Sequence, residues 1–149
     1  MNLFDVLRFE EGFKESAYLC SESYVTIGIG TKLHKERGLN PDDFCLTVSP
    51  EISELLMKQE TDDIWRALSL DDYDHDRAVI LASMAYQLGV SGLKGFRNMW
   101  TAIYQDDWHL AANEALDSRW AKQTPSRAQR HAEVLRGNSL DQVYSFVAE

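Results

Sequence analysis

Apolar residues recur at helical intervals over most of this chain, and this pattern constrains the fold more than any other feature. A helix is predicted to begin at Ser49-Pro50-Glu51, because a hydroxyl cap followed by proline favours a first helical turn. Residues 77–88 are almost continuously apolar and end before Gly89, which is typical of a helix at the centre of a core. The chain is therefore predicted to be mainly helical after about residue 48.

Further helices are predicted towards the C-terminus. Two apolar groups at helical spacing surround Trp100 and Trp108. Thr124-Pro125 is typical of a helix start and Gly137 of its end, while Ser139 and Gln142 form a capping box for a last helix. No internal repeat is present, so the 149 residues are expected to form one folded chain with a sizeable core.

The N-terminal part carries a different pattern. A short helix is predicted between an Asn2 cap and Gly12. Two stretches rich in β-forming residues, 16–19 and 24–29, flank the polar residues 20–23, which predicts a β-hairpin. The expected fold is mainly α (α+β), with a small N-terminal helix and hairpin lobe (1–48), a long connecting helix (49–70) and a larger helical C-terminal lobe (71–149).

Three side chains with reactive groups lie in and around this hairpin: Glu11, Cys20 and Thr26. The nearby glycines Gly28 and Gly30 either let a bulky polymer approach the backbone closely or mark a bulge in the strand. They do not form a dinucleotide-binding motif, because the third glycine and the following helix are absent. The hairpin is therefore the candidate site, and nucleotide binding is excluded.

The composition excludes several other classes of function. With a net charge of −9 the chain is not expected to bind nucleic acid, since such proteins present a basic face. Its apolar content of 44% predicts a folded core, yet no uncharged apolar run is long enough for a membrane span. Charged residues interrupt the N-terminal segment, so no secretory leader is expected.

No metal and no cofactor are expected. The two cysteines, Cys20 and Cys45, permit a disulfide without indicating one, and neither they nor the four histidines have the spacing of a metal site. The acidic stretch 71–76 lacks the central glycine and the final glutamate of a calcium loop. It is better explained as a helix start, where acidic residues are favoured.

The spacing of the three reactive residues resembles the catalytic pattern of T-even phage lysozymes: Glu, eight residues, Asp or Cys, five residues, Thr. The resemblance extends to residues 8–12, to Tyr86-Gln87-Leu88-Gly89 together with residues 92–98, and to residues 118–128. It implies a lysozyme-like fold and a cleft that closes on a peptidoglycan glycan strand. The implied reaction is hydrolysis of the β-1,4 bond between N-acetylmuramic acid and N-acetylglucosamine.

In this family Glu11 would donate a proton to the leaving oxygen, although a free glutamate titrates near ~4.3. Cys20 stands where aspartate is commoner, and a thiol with a pKa near ~8.5 is mostly neutral at pH 7. Three roles remain open for it: a thiolate beside the anomeric carbon, a base or positioning group for water, or a nucleophile. We favour the second, with the Thr26 hydroxyl holding the same water, because that is the inverting arrangement that the resemblance implies.

Other site residues follow from the resemblance alone. Tyr86 and Gln87 match an aromatic–glutamine pair that contacts the sugar, although Tyr86 equally fits a core position. Arg127 matches the arginine that pairs with the catalytic glutamate, and the alternative is a surface arginine at a helix start.

Two rival functions remain open at this stage. A lytic transglycosylase also relies on one glutamate, and a binding protein could have kept the site and lost catalysis through Cys20. The preferred expectation is a monomeric endolysin, made in the bacterial cytoplasm and reaching the wall through a holin lesion. A wall-degrading toxin delivered by an injection machine would have the same sequence features.

Overall fold

The structure is a computed structural model that describes residues 1–147 of the chain. It begins with one helix and three strands: α1 (Leu3–Glu11), β1 (Lys14–Leu19), β2 (Tyr24–Gly28) and β3 (Thr31–Arg37). The helices that follow are α2 (Pro50–Ala67), α3 (His75–Leu88), α4 (Val90–Lys94), α5 (Arg97–Tyr104), α6 (Trp108–Leu116), α7 (Arg119–Gln123), α8 (Pro125–Arg136) and α9 (Leu140–Val143). The predicted fold class, mainly helical with a small N-terminal sheet, is confirmed.

The chain divides into two compact units. One consists of Leu7–Asp63, and the other consists of Met1–Val6 together with the chain from Ile64 onward. The boundaries therefore fall within α1 and α2. We call them the sheet unit and the helical unit.

The sheet unit contains a three-stranded antiparallel sheet in the order β1-β2-β3. The central strand is the buried one, with Val25 and Ile27 fully inaccessible to solvent. Residues 20–23 form the turn of the predicted hairpin, closed by a 2.9 Å hydrogen bond from the Ser23 amide to the Cys20 carbonyl. The sheet also has a third strand, β3, which the hairpin prediction did not include.

The helical unit is organised around α3, as its apolar sequence predicts. Every residue from Ala78 to Tyr86 in this helix is buried. Asp74 caps its first turn by accepting a hydrogen bond from the Arg77 amide, and Gly89 ends it with a φ of 79°. Helix α8 begins at Pro125 and ends before Gly137, and the predicted capping box of Ser139 and Gln142 is present in α9. These local signals fix where the helices begin and end.

Among the described residues, no helix is both long and apolar enough to span a membrane.

Candidate active site

Glu11 is the last residue of α1, and its side chain lies against the backbone of Gly30. A Cβ atom at position 30 would come within 2.9 Å of the Glu11 Oε2 atom. Gly30 also has a φ of +68°, a left-handed conformation that favours glycine. The helix that carries Glu11 is capped as predicted, because the Asn2 side chain accepts a 3.1 Å hydrogen bond from the Asp5 amide. Both the helix end and the glycine therefore determine where this carboxyl lies.

Cys20 and Thr26 are held together by one carbonyl oxygen, that of Tyr24. The Cys20 amide donates to it at 3.0 Å, and the Thr26 hydroxyl donates to it at 2.9 Å. Thr26 is 2% exposed, whereas Cys20 is half-buried and its thiol is free. Because the Thr26 hydroxyl hydrogen is used within the sheet, its oxygen can act towards a ligand as a hydrogen-bond acceptor.

Tyr18 belongs to the same site, although the sequence analysis did not identify it. It pairs with Thr26 across the β1–β2 ladder and is half-buried. Burial raises the pKa of the Tyr18 phenol, and the nearby ionisable groups of Glu11 and Cys20 raise it further. Tyr18 therefore lies close enough to Glu11 and Cys20 for these groups to affect the pKa of its phenol. The sequence did contain a signal for Tyr18, because a four-residue turn at residues 20–23 places residue 18 opposite residue 26.

Basic side chains surround the ring of Tyr24 on the same sheet. The Lys32 Nζ atom lies 4.5 Å from the ring centroid, and the Arg37 guanidinium carbon lies 4.9 Å from it. Lys32 also lies 3.9 Å from a carboxylate oxygen of Glu22. A chain with a net charge of −9 thus places two cations beside its candidate site.

Glu60, on α2, is a second acidic group that the sequence analysis missed. Its side chain lies at an exposed position, but the surrounding protein partly desolvates the carboxyl and raises its pKa to about 7. The positive charge of Lys32 opposes this shift, whereas Glu11 and Asp63 add to it. Glu60 is thus electrostatically coupled to Glu11 and is partly protonated near neutral pH.

In the helical unit, the predicted pair Tyr86 and Gln87 lies at the end of α3. Tyr86 is 4% exposed and belongs to the core. Gln87 is half-buried, and its side-chain oxygen accepts a 2.7 Å hydrogen bond from the indole nitrogen of Trp120. The indole therefore fixes the orientation of the Gln87 amide.

Arg127 lies in the first turn of α8 but is buried, with 6% of its surface exposed. Its Nη2 atom donates hydrogen bonds to both the backbone carbonyl and the hydroxyl of Ser83, each at 3.0 Å. The interpretation of Arg127 as a surface arginine therefore does not describe this structure. Its guanidinium is a buried charged group that is hydrogen-bonded to α3.

Neither cysteine is part of a disulfide, and Cys45 is exposed. Within residues 1–147, no three His, Cys, Asp or Glu side chains form a group that could hold a metal ion. In the acidic stretch, Asp71 accepts a hydrogen bond from the Trp65 indole and Asp76 accepts one from the Leu140 amide. These aspartates, together with Asp74 at the start of α3, are therefore used in helix packing and capping.

Comparisons with known proteins found relatives that match most of this chain. The chain is 30% identical to "Probable T4-type lysozyme 2" of Dictyostelium discoideum, over 93% of this chain and 96% of that protein. "Probable T4-type lysozyme 1" of the same organism is 26% identical over 92% of this chain and 95% of that protein. The "Pre-baseplate central spike protein Gp5" of Enterobacteria phage T4 is 27% identical, and the match covers 95% of this chain but 28% of the spike protein. The family model described as "Phage lysozyme" matches residues 8–137, and the chain belongs to the phage lysozyme family.

Proposed function

We propose that this protein is a muramidase that hydrolyses the β-1,4 bond between N-acetylmuramic acid and N-acetylglucosamine in bacterial peptidoglycan. The observation that carries the proposal is the arrangement in the sheet unit. There the Glu11 carboxyl lies against Gly30, while the Tyr24 carbonyl holds both the Cys20 amide and the Thr26 hydroxyl. In the proposal Glu11 is the acid, and Cys20 and Thr26 act on the attacking water; an acid and a group that activates water are what an inverting glycosidase requires.

In the proposed reaction Glu11 gives its proton to the glycosidic oxygen as the bond from that oxygen to the anomeric carbon breaks. The bonding electrons go to the oxygen, and a water molecule attacks the anomeric carbon from the opposite face. Cys20 is the base that accepts the proton that the water loses. The Thr26 oxygen accepts the second water hydrogen, a role that suits a hydroxyl whose own hydrogen is donated to Tyr24. Proton exchange with solvent then restores Glu11 and Cys20.

The substrate-binding residues in this proposal are Gln87 and Arg127 in the helical unit, whereas Tyr86, predicted with them, occupies a core position. Gln87 has an oriented amide, because Trp120 donates to its oxygen. Arg127 provides a fixed positive charge for a negatively charged or strongly polar part of the substrate. The lactyl and peptide carboxylates of peptidoglycan are groups of this kind.

Two substitutions test the roles of the acid and the thiol. Glu11→Gln keeps the shape of the side chain and removes the proton donor, so wall lysis is expected to stop. Cys20→Asp supplies a carboxylate base at the same position, so activity is expected to be kept. Loss of activity in Cys20→Asp, with Thr26 and the fold unchanged, would contradict the assignment of Cys20 as the base.

The proposed biological role is that of a monomeric endolysin that degrades the host wall. The resemblance to the phage lysozyme family over residues 8–137 supports a wall substrate. The chain matches about a quarter of the length of the spike protein Gp5, so a wall-degrading part of a larger assembly is the alternative role. Lysis of cells that express the chain with and without a holin separates the two, since only an endolysin depends on the holin.

A further inference from the structure

A buried histidine on α8 connects several polar groups of the helical unit. His131 is fully inaccessible to solvent. Its Nε2 atom lies 2.9 Å from the Ser83 hydroxyl, and its Nδ1 atom lies 3.2 Å from the Tyr144 hydroxyl. The ring also packs against Trp120, with 5.8 Å between the ring centroids.

The environment of His131 keeps the ring neutral. Burial, followed by the positive charges of Arg127 and Arg130, holds the pKa of this histidine well below its ordinary value. A neutral imidazole has one N–H group and one acceptor nitrogen, and both of its neighbours are hydroxyls that donate or accept. Either tautomer therefore satisfies Ser83 and Tyr144 at the same time.

Ser83 is the link between this histidine and Arg127. Its hydroxyl oxygen accepts a hydrogen bond from Arg127 Nη2 at 3.0 Å and also contacts His131 Nε2. A serine inside a helix otherwise turns its hydroxyl towards a carbonyl of the preceding turn. The contact with His131 holds the hydroxyl away from that alternative and in the position that Arg127 requires.

We propose that Ser83 and His131 are positioning residues for the substrate-binding Arg127, and that His131 acts through the Ser83 hydroxyl. The inference rests on the proposed function, because it assigns these residues to the binding of the proposed substrate. Trp120 extends the arrangement, since its ring packs on His131 and its indole nitrogen donates to Gln87. One buried network therefore holds both Arg127 and Gln87.

A double-mutant cycle tests this inference. Ser83→Ala and His131→Leu are each expected to lower kcat/KM for soluble peptidoglycan fragments about tenfold, within the range of coupling between residues of one network. The double variant is expected to lose no more than either single variant. In the Arg127→Met background neither substitution is expected to change kcat/KM further. A purely structural effect would lower kcat/KM in that background as well. The same cycle is then repeated in the Glu11→Gln protein, where binding of the fragments is measured without turnover.

Two further variants control for folding. His131→Gln keeps a side chain that can contact the Ser83 hydroxyl, so it is expected to recover most of the activity lost in His131→Leu. Val134→Ala opens a small cavity at a buried position of the same helix and is expected to keep kcat/KM unchanged. Thermal unfolding of all variants identifies the temperature at which each is folded.

The outcomes distinguish a failure of the positioning inference from a failure of the proposed muramidase function. If the losses add, or if Ser83→Ala has the same effect with and without Arg127, the positioning inference is wrong and the muramidase proposal stands. If the folded wild-type protein releases no fragments and binds none, the proposed function fails and this inference fails with it.

Discussion

The neutral state of His131 predicts a pH-dependent stability that a glutamine at this position would remove. In the folded protein the pKa of His131 lies well below its ordinary value, because the ring is buried and faces Arg127 and Arg130. The other groups in contact with the ring are the hydroxyls of Ser83 and Tyr144 and the indole of Trp120. In the unfolded chain a histidine titrates near ~6.5. Acidification below that value therefore protonates the unfolded state and not the folded one.

The sign and the size of the effect follow from linkage. Because the unfolded state binds more protons, the free energy of unfolding falls as the pH falls from about 6.5 towards the folded pKa. Each pH unit in that window changes the free energy of unfolding by up to about 1.4 kcal/mol per proton. Between pH 7.5 and pH 5 the contribution of His131 is therefore a loss of up to about 2 kcal/mol in the free energy of unfolding.

Urea unfolding followed by circular dichroism measures this contribution when wild type and His131→Gln are compared at several pH values. Other titrating groups, Glu60 among them, are common to both proteins and cancel in the difference. The difference in unfolding free energy, wild type minus variant, is expected to fall by up to about 2 kcal/mol between pH 7.5 and pH 5. A difference that stays constant with pH, or grows on acidification, would refute a neutral buried His131.

Three other substitutions have defined outcomes. Gly30→Ala places a Cβ 2.9 Å from Glu11 Oε2 at a φ of +68°, so it is expected to lower stability by about 1 to 2 kcal/mol in thermal unfolding and to reduce lysis. Glu60→Gln is expected to stabilise the protein more at pH 8 than at pH 5, since a raised carboxyl pKa lowers wild-type stability as the pH rises through about 7. Thr26→Val is expected to keep the Cys20–Tyr24 hydrogen bond and the fold, while kcat for wall fragments falls about a hundredfold.

The helices could be predicted from the sequence because their signals are local. Pro50, Gly89 and Gly137 mark helix boundaries through backbone geometry, and the Ser139–Gln142 capping box acts over three residues. Strand β3 could not be predicted in the same way. Its sequence, TKLHKER, has several charged residues at exposed positions and no clear alternation, and pairing with β2 is what makes it a strand.

The residues of the candidate site also differ in whether a local sequence pattern identifies them. Glu11, Cys20 and Thr26 could be proposed from a short spacing pattern, since all three lie within the first 26 residues. The network joins Ser83 to Arg127 and His131, which lie 44 and 48 positions further along the chain, and no local pattern encodes such contacts. Glu60 was missed for a related reason, because its pKa is raised by desolvation in the folded protein and by Glu11, which lies in another element.

The central claim, that this protein hydrolyses the glycan strand with Glu11 as the acid, is tested most directly by mass spectrometry of its products. Purified protein and the Glu11→Gln variant are each incubated with Gram-negative peptidoglycan, and the soluble fragments are analysed. We expect fragments with hydrated reducing N-acetylmuramic acid ends from the wild type and none from the variant. Anhydro ends would instead identify a lytic transglycosylase, and the absence of any fragment from folded wild-type protein would identify a binding protein; either result would contradict the claim.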